Sequence, residues 1–430
     1  MSRQLLTEAR DVLALPSFPF ALQGRPSEGL LWDPGQQDVV IEALPALAKP
    51  PQRPELLLDA GALASATRSL DDGEETIDAT VIFGGHLLRH FGHFLHESLS
   101  RLWWLGKGKA IDPEAHGARS LLQGEGADVV FFMPRWLDDG KDLPAYMAEV
   151  LAGLGLPTER IRILVGPTRL RRLLIPAQCW GFHFDQTAWN NHLGCDCRQL
   201  MRALLGSYDL PPAPLDDGLP QPEKLYITRS GLPVQLGRLL GDVLLDRLLE
   251  TAGFRIFHPE RHPIAEQIRL YSLARELVFM DGSALYLLWF CHLRPGVRIS
   301  VILRRRQGAW MCDQLKLLLP ATTGLRWRLL DALLGEGLTS QKDWESHNLA
   351  DLSALARQLA PTTLLPRQEI RNTVAAYAED LVTHTSTAQL RGILQELLCQ
   401  LLPPVDAPPR GVRARLRRLV ARIKRRLTSR

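Results

Sequence analysis

The sequence predicts an α/β protein built from parallel sheets, with two Rossmann-like domains followed by a helical C-terminal extension. Three observations lead there. Short apolar runs alternate with helical periodicity across most of residues 79–310. The chain has 430 residues, more than one domain accounts for at roughly 100–200 residues each. A Pro- and Asp-dense stretch, PPAPLDDGLPQP from Pro211, interrupts the pattern near mid-chain. At 46% hydrophobic and 23% charged, the composition is that of a folded chain rather than a disordered one.

Residues 1–75 are Pro-rich and give no clear pattern. From Ala79, ATVIFGG is a buried strand, and the spacing predicts a helix over about 91–105. ADVVFFM, RIRILVG and TRLRRLLIPA are strands, with the helix DLPAYMAEVLAGLG before the second. After the linker the order is more regular. LYITRS, FRIFH, RELVFM and VRISVIL are strands, separated by helices in RLLGDVLLDRLLETAG, PIAEQIRLYSLA and ALYLLWFC. Such alternation with short loops is a doubly wound half-sheet. The predicted domains are therefore 1–210, 218–320, a helical region 321–402, and a Pro-rich linker with a basic tail over 403–430.

Charge is unevenly spread. Residues 410–430 hold ten of the 51 basic side chains and no acid, so the rest of the chain is net negative by six. A nucleic-acid binder needs positive charge on its folded surface, and that class is disfavoured. The longest apolar run, ALYLLWFC from Ala284, is far short of the roughly 20 residues of a membrane span. MSRQLLTEARDVLALP contains Glu8 and Asp11 and lacks a signal-peptide core. Six cysteines show no paired framework, which fits a reducing cytoplasm. In the tail, Val412, Leu416, Leu419, Val420, Ile423 and Leu427 form one helical stripe between basic faces. That pattern predicts a helix lying at the anionic inner membrane surface.

Four groups of residues carry chemical potential. His86, His90, His93 and His96 fall within eleven residues, next to Glu97. On a helix, His93, Glu97 and Arg101 share one face. Three readings compete: a zinc site, although H-x-x-H-E matches neither common zincin order; an amphipathic helix with solvated polar residues; and a general base, His93 or Glu97, with His90 close by. Second, Asp281-Gly282-Ser283 joins a strand to a helix at the carboxyl end of a sheet, where ligands bind and a helix N-terminus suits phosphate. The plain alternative is an N-cap at Asp281. Third, Arg229 ends a strand and offers a planar fork to a diphosphate. Fourth, Glu266 and Gln267 open the helix before the Asp281 strand, where Glu266 also complements the helix dipole. The sequence has no D-x-D pair, no G-x-x-x-x-G-K-[ST] loop and no G-x-S-x-G elbow.

The order of these groups resembles a known family. His-Phe-Gly-His-Phe-Leu-x-Glu-Ser-Leu-x-Arg-Leu-Trp from His90 is followed by Tyr226-Ile-x-Arg229 and by Gly253-Phe-x-x-x-x-Pro259-Glu260. Ala265-Glu266-Gln267 and Asp281-Gly282-Ser283-Ala-Leu complete the series. Over residues 79–310 this resembles glycosyltransferase family 61, most closely the bacterial branch of capsular polysaccharide biosynthesis proteins. The resemblance implies an inverting transferase of the GT-B type, with two Rossmann-like domains facing across a cleft. It places His90, Gly92, His93, Glu97 and Arg101 on the first motif. Arg229, Pro259, Glu260, Glu266, Gln267, Asp281, Gly282 and Ser283 fall on the second-domain motifs. Many relatives carry His-Gly-Ala where this chain has Asp281-Gly282-Ser283, so a donor contact made by that histidine does not carry over. The implied partners are a nucleotide-sugar donor and a polysaccharide or lipid-linked glycan acceptor, with no metal cofactor. Two readings of other classes stand beside it: an inactive scaffold of a polysaccharide assembly complex, and a zinc-dependent hydrolase.

Overall fold

In the computed structural model the alternation resolves into two large sheets of different kinds, with a small two-stranded sheet beside them. The structure describes residues 5–22, 25–44, 56–68, 75–107, 118–122, 126–134, 142–182, 184–210, 223–233, 236–336, 345–362 and 366. The chain divides into two compact units between Ala213 and Pro214, inside the Pro-rich stretch, with Leu317–Pro320 grouped with the first.

The first unit carries an eight-stranded mixed sheet. Its strands are β1 (Leu6–Leu22), β2 (Arg25–Asp33), β3 (Asp38–Val39), β4 (Leu56–Leu57), β5 (Glu75–His86), β6 (Val129–Phe132), β7 (Ile161–Leu164) and β8 (Thr168–Pro176). The order is β3-β2-β1-β8-β5-β6-β7, with β4 on β1. β5 runs parallel to both β6 and β8, whereas β1 is antiparallel to β8 and β2. Val81, Phe83, Val130, Phe132, Leu170 and Leu173 form its central core. The near-continuous apolar run of β5 and β6 is what a strand buried on both faces requires.

Residues 1–75, which the sequence left unassigned, supply the antiparallel half of this sheet. Pro16 and Pro19 hide β1 because each removes a ladder N–H, and the register slips between Leu15 and Pro19. The predicted helix over 91–105 is also shorter. An α-helix, α1 of the site region (Phe91–His96), gives way to 3₁₀ turns at Ser98–Arg101 and Trp103–Leu105. At three residues per turn, the 3₁₀ segment rotates Arg101 off the face of His93 and Glu97.

The second unit is a five-stranded, wholly parallel sheet: β9 (Lys224–Ile227), β10 (Arg255–Phe257), β11 (Glu276–Met280), β12 (Arg298–Ile302) and β13 (Arg326–Leu330). The order is β10-β9-β11-β12-β13. The connecting helices are α2 (Asp242–Thr251), α3 (Ile264–Leu273) and α4 (Gln307–Leu318). Between β11 and β12 the predicted α-helix is a 3₁₀ helix, Ser283–Phe290, whose Leu285–Phe290 are all buried. Strand order reverses between β9 and β11, so their carboxyl ends open a crevice that ligands of such sheets occupy.

Residues 321–402 are not simply helical. Arg326–Leu330 is the fifth sheet strand, and Leu333–Gly335 pairs with Leu349–Ala350. Among the described residues of this region only Leu352–Leu359 is helical, packing Leu352, Leu355 and Leu359 into the core with Leu248 and Phe254. The strands were hidden because Arg326, Trp327 and Arg328 alternate exposed and half-buried at the sheet edge, leaving little apolar signal. The tail over 403–430 lies outside the described residues.

Candidate functional site

In the first unit, β5 ends on Gly84-Gly85-His86. Gly85 adopts φ +96, a left-handed conformation, and a Cβ there would meet the Arg101 side chain at 3.0 Å. That turn delivers the chain to His90, which is exposed at the start of the Phe91–His96 helix. One helical turn brings His93 onto Glu97: Nδ1 lies 2.6 Å from Oε2. His93 is 39% exposed along its side chain and Glu97 12%. A carboxylate only accepts, so the neutral ring carries its proton on Nδ1 and its lone pair on Nε2. That is the arrangement of a general base with its orienting partner. The His93 ring also meets Phe182 edge-on at 5.0 Å, and Phe182 stacks flat on buried His96 at 4.0 Å.

The remaining predicted members of this cluster point elsewhere. His86 is buried with Nε2 3.1 Å from the Gly29 carbonyl oxygen, and burial pushes its pKa down to about 4. Arg101, 4% exposed, donates to the Pro176 carbonyl at 2.7 Å and the Leu44 carbonyl at 2.8 Å. Its guanidinium therefore braces backbone, while Arg101 and Glu97 also line a small pocket with Gly84, Gly85, Ser98 and Ser100. Among the described residues, no three His, Cys, Asp or Glu side chains converge as metal ligands.

In the second unit, the carboxyl ends of β9, β11 and β12 gather three arginines around one acid. Asp281, just past β11, is 1% exposed, and its Oδ2 accepts the backbone N–H of Arg304 at 2.6 Å and of Arg305 at 3.0 Å. The Nε atoms of Arg304 and Arg305 lie 3.9 and 3.6 Å from Oδ1. Arg229, past β9, donates to the Leu236 carbonyl at 3.1 Å and packs on Gly282, where a Cβ would sit 2.6 Å from Nη1. A side chain at 282 would push the guanidinium aside. Burial and the neighbouring Arg304 push the Arg229 pKa down to about 10. Three guanidiniums against one carboxylate leave this edge positive, which suits an anionic ligand.

Sequence reasoning missed Arg304 and Arg305, which stand in an Arg-Arg-Arg run with no motif around them. It also missed buried Arg238, whose fork grips Asp242 at 2.9 and 2.6 Å, and the strap at Asn348. Asn348 donates from Nδ2 to the Arg304 carbonyl at 2.8 Å, and from its backbone to the Arg238 carbonyl at 2.9 Å. Burial beside Arg238 and Arg304 pushes the His347 pKa down to about 4.

Two predicted ligands have other partners. Gln267 is buried and donates both amide hydrogens to backbone, at Pro259 and His262 (2.9 Å each), bracing the Pro259–Arg261 turn. Glu266 pairs with His262 Nδ1 at 3.0 Å, and Ser283 is half-buried at the start of its 3₁₀ helix. The structure thus brings Arg229, Asp281 and Gly282 together, and holds Gln267 apart as a brace.

No curated protein matches the chain. Residues 91–299 match the family model described as Glycosyltransferase 61, a stretch that contains every predicted site residue except His90. Over residues 91–299 the chain is similar to the glycosyltransferase 61 family.

Proposed function

We propose that the protein is an inverting transferase of the GT-B type that moves a sugar from a nucleotide-activated donor to a surface polysaccharide or lipid-linked glycan. The observation that carries the reading is half-buried Arg229 at the point where the sheet order reverses, backed by buried Arg304 and Arg305 on Asp281, which add positive field behind it. A departing nucleoside diphosphate needs its charge neutralised, and fixed guanidiniums do this without reorganising in the transition state. The acceptor hydroxyl must lose a proton, and His93 Nε2, with Glu97 holding the opposite nitrogen, supplies the base. The chain's own side chains thus cover both charge-handling steps.

Calorimetric titration with a panel of nucleoside diphosphates tests the donor half. Arg229→Ala is expected to weaken binding by about 1.5–3 kcal/mol, the worth of a hydrogen bond to a charged group. Arg229→Lys recovers only part, since an ammonium has no fork. Unchanged affinity in the alanine variant would remove the donor assignment. Donor hydrolysis by the purified protein separates an active transferase from an inactive scaffold.

The basic tail completes the proposal. Among the described residues no helix is long and apolar enough to cross a membrane. The stripe of Val412, Leu416, Leu419, Val420, Ile423 and Leu427 supports peripheral attachment at the inner face of the membrane, near lipid-linked acceptors. Each Lys or Arg at such a surface contributes about 1 kcal/mol, less at high salt. Deleting residues 410–430 is expected to release the protein from anionic liposomes and to leave transfer to a short soluble acceptor intact. Equal liposome binding by both forms at low salt would refute the anchor.

A further inference from the structure

A carboxylate on the α2 helix, Asp246, bonds both residues that flank Arg229. The residues on either side of it, Thr228 and Ser230, leave the carboxyl end of β9 over the α2 helix. Thr228 Oγ1 donates to Asp246 Oδ1 at 2.7 Å, and Ser230 Oγ donates to the other oxygen, Oδ2. The Ser230 backbone N–H closes the ring by donating to Thr228 Oγ1 at 3.1 Å. One acid on one helix therefore clamps both neighbours of the arginine, each through a separate oxygen.

A carboxylate accepts from both hydroxyls at once, one on each oxygen. Thr228 gives its hydrogen to Asp246 and accepts the Ser230 N–H on the same oxygen, which also lies 3.2 Å from Ser230 Oγ. An asparagine keeps one acceptor oxygen and turns an N–H₂ toward the other hydroxyl, which must rotate from donor to acceptor, so the clamp loosens on that side. Burial raises the Asp246 pKa, and the two hydroxyls oppose that rise; Asp242 and His258 are the other charged groups that face it, with opposite effects.

We propose that Asp246 is a positioning residue for Arg229, fixing the backbone from which the guanidinium reaches the donor diphosphate. The inference rests on the reading of Arg229 as a diphosphate ligand. Nothing in the sequence marks Asp246, which falls mid-helix in RLLGDVLLDRLLETAG. Its position and its two partners emerge only when the strand end and the helix are brought together.

A double-mutant cycle on the full-length chain tests this, with inorganic pyrophosphate titrated by calorimetry against wild type, Asp246→Asn, Arg229→Ala and the pair. Asp246→Asn is expected to weaken pyrophosphate about tenfold on the wild-type background and to have almost no effect when Arg229 is already alanine, because residues that act through one another are not additive. Thr228→Val and Ser230→Ala each remove one arm of the clamp and should each give part of that loss, which keeps the test open if the asparagine variant folds poorly. Wild-type affinity in Asp246→Asn, alongside clear weakening in Arg229→Ala, overturns the positioning role and leaves the diphosphate reading standing. Equal losses on both backgrounds mean a general structural contribution and also overturn it. No loss in Arg229→Ala overturns the diphosphate reading, and the inference falls with it.

Discussion

Replacing His93 with alanine is expected to lower turnover by about 10²–10⁴-fold, the usual worth of a positioned general base. The expectation follows from the geometry at the end of the Phe91–His96 helix. Glu97 Oε2 sits 2.6 Å from Nδ1, so the ring's orientation and tautomer are fixed and Nε2 is the basic atom. Glu97→Gln keeps an acceptor in place but removes the charge that stabilises the imidazolium formed during transfer, so turnover falls in the same direction. Affinity for nucleoside diphosphates should barely change in either variant, because both residues belong to the first unit and the arginine cluster to the second. Steady-state turnover measured beside nucleotide affinity separates the two effects. If both variants stay folded and keep wild-type turnover, the His93–Glu97 pair is not the base.

The second large effect is expected at Asp281. Its carboxylate is buried, takes two backbone N–H bonds and lies near the Nε atoms of Arg304 and Arg305. Asp281→Ala leaves the guanidiniums of Arg229, Arg304 and Arg305 without their shared counter-charge. It also removes the acceptor from the turn that carries two of them. Removing one partner of a buried charge network costs about 3–5 kcal/mol, and a loss of that size is expected in denaturant unfolding. Asp281→Asn retains an acceptor for the backbone but not the charge, and should fall between wild type and alanine. Gly308 reinforces the point: a Cβ there would sit 2.5 Å from Asp281 Oδ2, so α4 begins against the carboxylate. An alanine variant within about 1 kcal/mol of wild type would show that the arginines are balanced by something else.

Much of the second unit could be read in advance because its signals are local. Each strand is a compact apolar run, each helix carries its own period, and each turn has its own Gly or Pro. The His93–Glu97 contact was legible for the same reason, since residues four apart meet on any helix. The contribution of Arg101 was not. Its predicted place on the same face assumed an unbroken helix, and the 3₁₀ turn sends it instead to the Pro176 and Leu44 carbonyls, 75 and 57 residues away in sequence. Gln267 is a milder case: its position at a helix start was read correctly, but its donors were already committed to the turn before it.

By itself the sequence determined the α/β class, the division at the Pro-rich stretch, the contact of His93 with Glu97, and the strand ends that hold Arg229 and Asp281. These depend on spacing along the chain, and spacing is all that periodicity, turn chemistry and motif order require. Only the tertiary structure decided that β1 joins the first sheet despite its prolines, and that Arg326–Leu330 completes the second. It alone turned Arg304 and Arg305 onto Asp281, and made Asp246 the clamp on both sides of Arg229. The reason is physical. Hydrogen bonds and charge pairs between distant residues depend on where separate strands and helices come to lie, and a carboxylate in the middle of a helix looks the same in sequence whether it faces water or anchors a binding loop.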